Sequence, residues 1–146
     1  MSHHPRFNHV AMSVPPALID AESGPALLDF YGDVFGWEEM PQLTEPGRLL
    51  VFKVHSFGQF VYLHADDKAP MMANRRDHVG LQVETQEEFD RCLGRAQAWT
   101  DKGPETEIIG PQDESFGPVR LRSYYVRHRL PLMVEVQLFD WGAAAA

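Results

Sequence analysis

Two histidines stand at matching positions of an internal sequence repeat. The segment Asn8 to Val14 aligns without a gap with the segment Asp77 to Val83, so that His9 and His78 coincide at an offset of 69 residues. Both segments alternate between apolar residues and smaller or more polar ones, as half-buried strands do. Each histidine falls on the more polar face of its strand, where its imidazole is available as a ligand or a proton carrier.

A glutamate near the end of the chain stands in an equally unusual place. Glu135 lies between Val134 and Val136 in a run that alternates like a strand. Burying a lone carboxylate is costly unless it meets a metal ion or another cation. The pattern therefore predicts a charged partner for Glu135.

The rest of the chain forms two units with the same order of elements. A predicted helix with an apolar stripe follows each histidine strand, and a capping box from Thr85 to Glu88 opens the second helix. Three strand-like runs follow each helix, so the order is βαβββ twice within an α+β fold. We expect units at about 6–65 and 76–140, with a linker at 66–75. The strand-like runs after the helices cover 37–43, 48–55 and 59–64 in the first unit and 105–109, 119–126 and 132–139 in the second, with a turn at 110–113.

This order of elements resembles the vicinal oxygen chelate superfamily, which includes glyoxalases, bleomycin-resistance proteins and extradiol dioxygenases. The similar residues are the two strand histidines, the first-helix ending at Phe30-Tyr31 and Phe35-Gly36-Trp37, and the closing Val134-Glu135-Val136. The resemblance implies a single domain over 1–146. In it, the two units form one cupped, barrel-like mixed sheet with the helices on its outer face.

The resemblance also implies that His9, His78 and Glu135 bind a divalent metal ion. Two neutral imidazoles and one carboxylate suit Fe, Mn, Zn or Ni and leave coordination positions open. The position that matches Glu135 in the first unit holds Tyr62. His64, two residues further on, would take that position only if the strand register slipped.

Three more side chains are candidates for contact with a substrate. Tyr62, His64 and Tyr125 would either bind an oxygen-bearing substrate or simply fill the cup. Tyr125 lies ten residues before Glu135, as a tyrosine does in the extradiol dioxygenases that the chain resembles, and is also a candidate catalytic residue. His55 is a second candidate for acid–base catalysis, with its strand face left open.

Composition excludes several other classes of function. The formal net charge of −8, without a long Lys/Arg cluster, argues against nucleic acid or a membrane as partner. No apolar run is long enough for a membrane span, so we expect a cytoplasmic protein. The single cysteine, Cys92, excludes an intramolecular disulfide and is expected to be a packed thiol. There is no P-loop, GxGxxG or serine nucleophile elbow.

Two functions of different classes remain. The first is a metal-dependent enzyme, a lyase, isomerase or dioxygenase, whose small substrate chelates the metal through two oxygens. The second is a metal-free protein that binds a drug or metabolite, as bleomycin-resistance proteins do. In either case the resemblance implies a homodimer whose ligand is a small molecule.

Overall fold

The computed structural model describes residues 3–142, which contain two helices and eight strands. Contacts divide the chain into two units, with the boundary between Met72 and Ala73, inside the predicted linker. The first unit contains β1 (His9–Val14), α1 (Ser23–Phe35), β2 (Glu38–Glu39), β3 (Leu49–Lys53) and β4 (Phe60–Ala65). The second contains β5 (His78–Gln82), α2 (Gln86–Thr100), β6 (Thr106–Phe116), β7 (Val119–His128) and β8 (Met133–Asp140).

Each unit builds one four-stranded mixed sheet with the same topology. The strand orders are β1-β4-β3-β2 and β5-β8-β7-β6. In both sheets the histidine strand pairs in parallel with the last strand, while the other pairs are antiparallel. The predicted βαβββ order and the α+β class are thereby confirmed.

Local chemistry sets the ends of both helices. Before α1, the Asp20 carboxylate accepts the backbone N–H groups of Glu22 (3.0 Å) and Ser23 (2.7 Å). At its other end, Gly36 takes a left-handed conformation with φ 72°, which glycine adopts without strain. At the start of α2, the Thr85 hydroxyl accepts the Glu88 N–H at 3.1 Å, as the predicted capping box requires.

The apolar stripes of the helices form the cores against the sheets. Phe30 and Tyr31 of α1 are fully buried, and the Tyr31 ring lies 5.8 Å from the ring of Phe52 on β3. Phe89 of α2 meets the buried Tyr124 of β7 edge-on, with ring centres 4.9 Å apart. Each helix therefore covers one face of its own sheet and leaves the other face to the histidines.

Three predicted strand boundaries were wrong. The first-unit run predicted at 37–43 forms a strand only at Glu38–Glu39, because Pro41 begins a 3₁₀ turn. The run predicted at 48–55 ends as a strand at Lys53. The turn predicted at 110–113 instead lies inside β6, where the register shifts between Ile109 and Gln112. The Gly110-Pro111 pair is therefore accommodated as a bulge.

Neither helix within residues 3–142 has the length and apolar character needed to cross a membrane.

Candidate metal and substrate site

The uncovered face of the second sheet collects three of the predicted site residues. In the parallel pair of β5 and β8, Gly80 lies opposite Glu135, two residues beyond His78. In the antiparallel pair of β7 and β8, Tyr125 lies opposite the same glutamate. Because side chains alternate along a strand, His78, Glu135 and Tyr125 share one face. Phe89 packs against Tyr124, so α2 lies on the other face.

His78 and Glu135 are in direct contact. The Nε2 atom of His78 lies 3.1 Å from a carboxylate oxygen of Glu135. The Nδ1 atom of His78 lies 2.8 Å from the backbone carbonyl oxygen of Arg76. Since a carbonyl can only accept, Nδ1 carries the proton in this contact. The Nε2 lone pair of a neutral His78 therefore points at an anionic oxygen, an arrangement that a proton or a metal ion must stabilise.

Glu135 is buried and is supported by an amide. Only 4% of the residue is exposed, and the Gln137 amide donates to its carboxylate at 3.1 Å. Gly80 leaves space for this amide, because a β-carbon at position 80 would lie only 3.3 Å from the side-chain amide oxygen of Gln137. The carboxylate is therefore oriented toward His78 by groups on the same sheet face.

Tyr125 closes this cluster on the β7 side. Its ring meets the imidazole of His78 edge-on, with centres 5.0 Å apart. Partial burial, together with the negative charge of Glu135, raises the pKa of Tyr125 above its usual value. Like any tyrosine, it is protonated at neutral pH, and it can donate a hydrogen bond.

One face of the first sheet has the equivalent strand positions, but different side chains occupy them. The Nδ1 atom of His9 lies 2.6 Å from the Asn8 side-chain oxygen, and the ring stacks on Phe60 at 4.8 Å. In the parallel register of β1 and β4, Ala11 lies opposite Tyr62 and Ser13 opposite His64. Tyr62 thus occupies the register position that Glu135 has in the second unit, without any slip.

His64 takes the position that corresponds to Gln137. It lies on the same face of β4 as Tyr62, with ring centres 5.9 Å apart. Both side chains are half-buried. The two predicted substrate-binding residues of this unit are therefore neighbours.

His55 is placed differently from the prediction. The strand that was expected to carry it ends at Lys53, because a turn closed by the hydrogen bond from Val54 N–H to the Gln59 carbonyl follows directly. His55 lies exposed in that turn. It is not on a sheet face.

The predicted ligand set takes His9 from one unit and His78 and Glu135 from the other. Within residues 3–142, the histidine, cysteine and acidic side chains form no group of three or more that could hold a metal ion. The three-residue metal site stays a prediction. What the structure shows is its two-residue half, the His78–Glu135 pair of the second unit.

Sequence reasoning missed two residues of this cluster, Gln137 and Arg76. Gln137 could have been found, because a residue two positions after Glu135 must share its strand face. Arg76 lies just after the predicted linker, where no periodic pattern indicates a direction. Its position over the Tyr125 ring, at 4.9 Å, comes from the tertiary structure alone.

Comparison with solved structures shows which fold this is. The chain is similar to lactoylglutathione lyase from Agrobacterium tumefaciens, with a TM-score of 0.57 and 20% identity over 94% of this chain and 96% of that one. It is similar to the fosfomycin resistance protein FosX from Listeria monocytogenes, with a TM-score of 0.59 and 18% identity over 92% and 93%.

A third similar structure is an integron cassette protein from the mobile metagenome of the Halifax Harbour sewage outfall. Its TM-score is 0.60, with 17% identity over 91% of this chain and 97% of that one. No protein-family model and no curated protein matches the sequence.

The fold is therefore the glyoxalase-type fold that these structures share. The resemblance inferred from the strand histidines and from Glu135 is thereby confirmed at the level of fold. Identities of this size carry no substrate or reaction from one protein to another.

Proposed function

We propose that this protein is a metal-dependent enzyme of the glyoxalase and dioxygenase superfamily. Its substrate is a small molecule that chelates the metal through two neighbouring oxygens. His9, His78 and Glu135 hold the divalent ion, which is Fe, Mn, Zn or Ni. When bound, the ion supplies Lewis-acid stabilisation of negative charge on the substrate oxygens.

One observation carries this proposal, the contact between His78 and Glu135. A histidine whose Nδ1 donates to a carbonyl presents Nε2 as a metal ligand, and such a second-sphere hydrogen bond is usual for histidines that bind metals. The same Nε2 lies 3.1 Å from a carboxylate that is 4% exposed. The pair of lone-pair donors fits a divalent cation, and His9, whose Nδ1 contacts Asn8, has the same tautomer available.

The remaining residues have roles that this chemistry requires. Tyr125, protonated and adjacent to Glu135, donates a hydrogen bond to a substrate oxygen or gives it a proton. Tyr62 and His64 orient the substrate from the face of the first sheet. His55 lies in an exposed turn beyond the end of β3, so we assign it no part in proton transfer.

The test is the metal content of protein purified without an affinity tag, measured by mass-spectrometric elemental analysis. We expect a near-stoichiometric divalent metal in the wild type and its loss in Glu135→Ala, because removing the buried carboxylate removes one of three ligands. Glu45→Ala is the matched control, since that glutamate is an exposed partner of Arg48. Equal metal content and turnover in wild type and Glu135→Ala would contradict the proposal.

A metal-free binding protein is the second candidate. It is favoured by Tyr62, which stands at the position equivalent to Glu135 and offers a weaker ligand than a carboxylate. In this case the net charge of −8 would attract a cationic drug or metabolite. Stoichiometric binding of a bleomycin-type cationic ligand that persists in excess chelator would select this function over the first.

We further propose a cytoplasmic homodimer without nucleic acid or a membrane as partner. The proposal rests on the superfamily resemblance and on the acidic composition. Light scattering of the purified protein measures the oligomeric state, and a monomer at micromolar concentration would contradict it.

A further inference from the structure

An arginine, Arg76, lies beside the His78–Glu135 pair. Its guanidinium carbon is 4.9 Å from the centre of the Tyr125 ring. The Tyr125 ring in turn meets the imidazole of His78 edge-on. The backbone carbonyl of the same arginine accepts the Nδ1 hydrogen bond of His78. Arg76 is therefore tied to the cluster through both its backbone and its side chain.

Two neighbouring arginines bind a carboxylate, whereas Arg76 has no carboxylate partner among residues 3–142. Arg75 and Arg127 both bind Glu107, at 2.6 Å and 2.7 Å. Burial raises the pKa of Glu107, but the hydrogen bonds from the two arginines outweigh it and lower the pKa below its usual value. Over residues 3–142, the contact found for the exposed Arg76 guanidinium is the aromatic ring, with no carboxylate paired to it.

The chemistry of this position favours an anion as ligand. A guanidinium that makes a cation–π contact with a ring has N–H groups left over, and their geometry matches that of a carboxylate or a phosphonate. The chain has 21 acidic residues against 13 lysines and arginines, so carboxylates are abundant on its surface. The Arg76 guanidinium is nevertheless exposed, and it lies beside the proposed chelation site. It can therefore bind an anionic group of a ligand.

We propose that Arg76 is a substrate-binding residue that selects substrates with a compact anionic group, a carboxylate or a phosphonate. This group is separate from the two oxygens that chelate the metal, and the inference rests on the proposed function for its reference to those oxygens. The substrate class is thereby an acid that also carries a neighbouring pair of oxygens.

The experiment compares three probes that share a catechol oxygen pair. They are 3,4-dihydroxybenzoate, 3,4-dihydroxyphenylphosphonate and the neutral 3,4-dihydroxybenzamide, titrated calorimetrically into the metal-loaded protein. In the wild type we expect at least one acid to bind about tenfold more tightly than the amide, because a hydrogen bond to a charged group adds that much. The better of the two acids identifies which anion the site prefers.

Three variants test whether Arg76 causes the preference for the acids over the amide. Arg76→Gln is expected to bring the ratio of acid to amide affinity close to one, and Arg76→Lys to keep part of the acid preference. Arg120→Gln is the matched control, because it removes the same charge from an exposed position of β7 that alternation puts on the opposite sheet face. Thermal unfolding by circular dichroism checks that each variant folds.

The outcomes separate this inference from the proposed function. If the wild type binds neither acid more tightly than the amide, or if Arg76→Gln keeps the preference, the inference is overturned even when the metal is bound. If the protein holds no metal but chelator-treated samples keep an acid preference that Arg76→Gln removes, the proposed function fails and anion selection by Arg76 stands.

Discussion

At the scale of single residues, the partner of a histidine nitrogen decides what the ring can do. His78 and His9 both direct Nδ1 toward an oxygen acceptor of a neighbouring residue, Arg76 or Asn8. This leaves Nε2 as the free lone pair in each neutral ring. The two histidines differ in their surroundings, since among residues 3–142 a carboxylate lies within hydrogen-bonding distance of Nε2 in the same unit for His78 and not for His9.

A third histidine, His128, has a structural role. It is 4% exposed, and its Nδ1 atom lies 2.9 Å from the Thr106 hydroxyl. Burial, followed by the charge of Arg129, lowers the pKa of His128 from 6.5 to about 4. The folded protein therefore resists protonation that the unfolded chain accepts.

This shift predicts acid sensitivity of folding. Between pH 6.5 and about 4 the unfolded state binds a proton at His128 that the folded state does not, so stability falls as the pH falls through this window. From pH 7 to pH 5 the loss from this group is about 2 kcal/mol. Urea unfolding at the two pH values measures it, with His55→Gln as a control at an exposed histidine. If His128→Gln loses as much stability as the wild type does on this acidification, the shift is not the cause.

At the scale of elements, β6 shows where sequence patterns mislead. A glycine–proline pair followed by polar residues is typical of a turn, and the sequence predicts one at 110–113. The structure keeps the segment in the sheet because the register shift after Ile109 absorbs the irregular residues and β7 continues to pair beyond it. Whether such a pair turns the chain or bulges a strand depends on the partner strand, which local sequence does not specify.

The bulge makes Gly110 a position where any other residue is strained. Its φ is 98°, and a β-carbon there would lie 3.2 Å from the Ser123 carbonyl oxygen and 3.3 Å from the Tyr124 Cα. We expect Gly110→Ala to destabilise the protein by about 2 kcal/mol, because both backbone strain and a close backbone contact arise. Denaturant unfolding measures the change.

The matched control for this change is Gly94→Ala. Gly94 lies inside α2, and a β-carbon there would meet nothing within 4 Å. Alanine should stabilise the helix by about 0.5–1 kcal/mol. Two variants of equal stability would show that the bulge does not require glycine.

At the scale of the whole molecule, the two units share a topology and differ in chemistry. Corresponding strands pair in the same register, which places Tyr62 where Glu135 stands and His64 where Gln137 stands. The second unit thus has a buried carboxylate, and the first has aromatic side chains. If the units contribute to one metal site, as proposed, this asymmetry limits the number of protein ligands to three.

The internal symmetry predicts the effect of restoring a carboxylate. If both units contribute to one metal site, Tyr62→Glu adds an anionic ligand at the position equivalent to Glu135, and metal affinity should rise about tenfold or more at unchanged stoichiometry. Competition with a fluorescent chelator measures the affinity. Tyr62→Phe, which removes only the hydroxyl, is the control and should leave the affinity close to that of the wild type. Unchanged affinity in Tyr62→Glu would show that Tyr62 does not face the metal.

The sequence by itself determined the order of elements, the fold class and the equivalence of His9 and His78. These features follow from local periodicity, capping and repetition, which can be recognised in a single sequence. The tertiary structure alone decided the contacts of Glu135 with His78 and Gln137, the placement of Arg76 over Tyr125, and the exposed turn that holds His55. Those contacts depend on strand register and on side-chain direction between residues as far apart as His78 and Glu135, which are separated by 57 positions, and no local pattern encodes them.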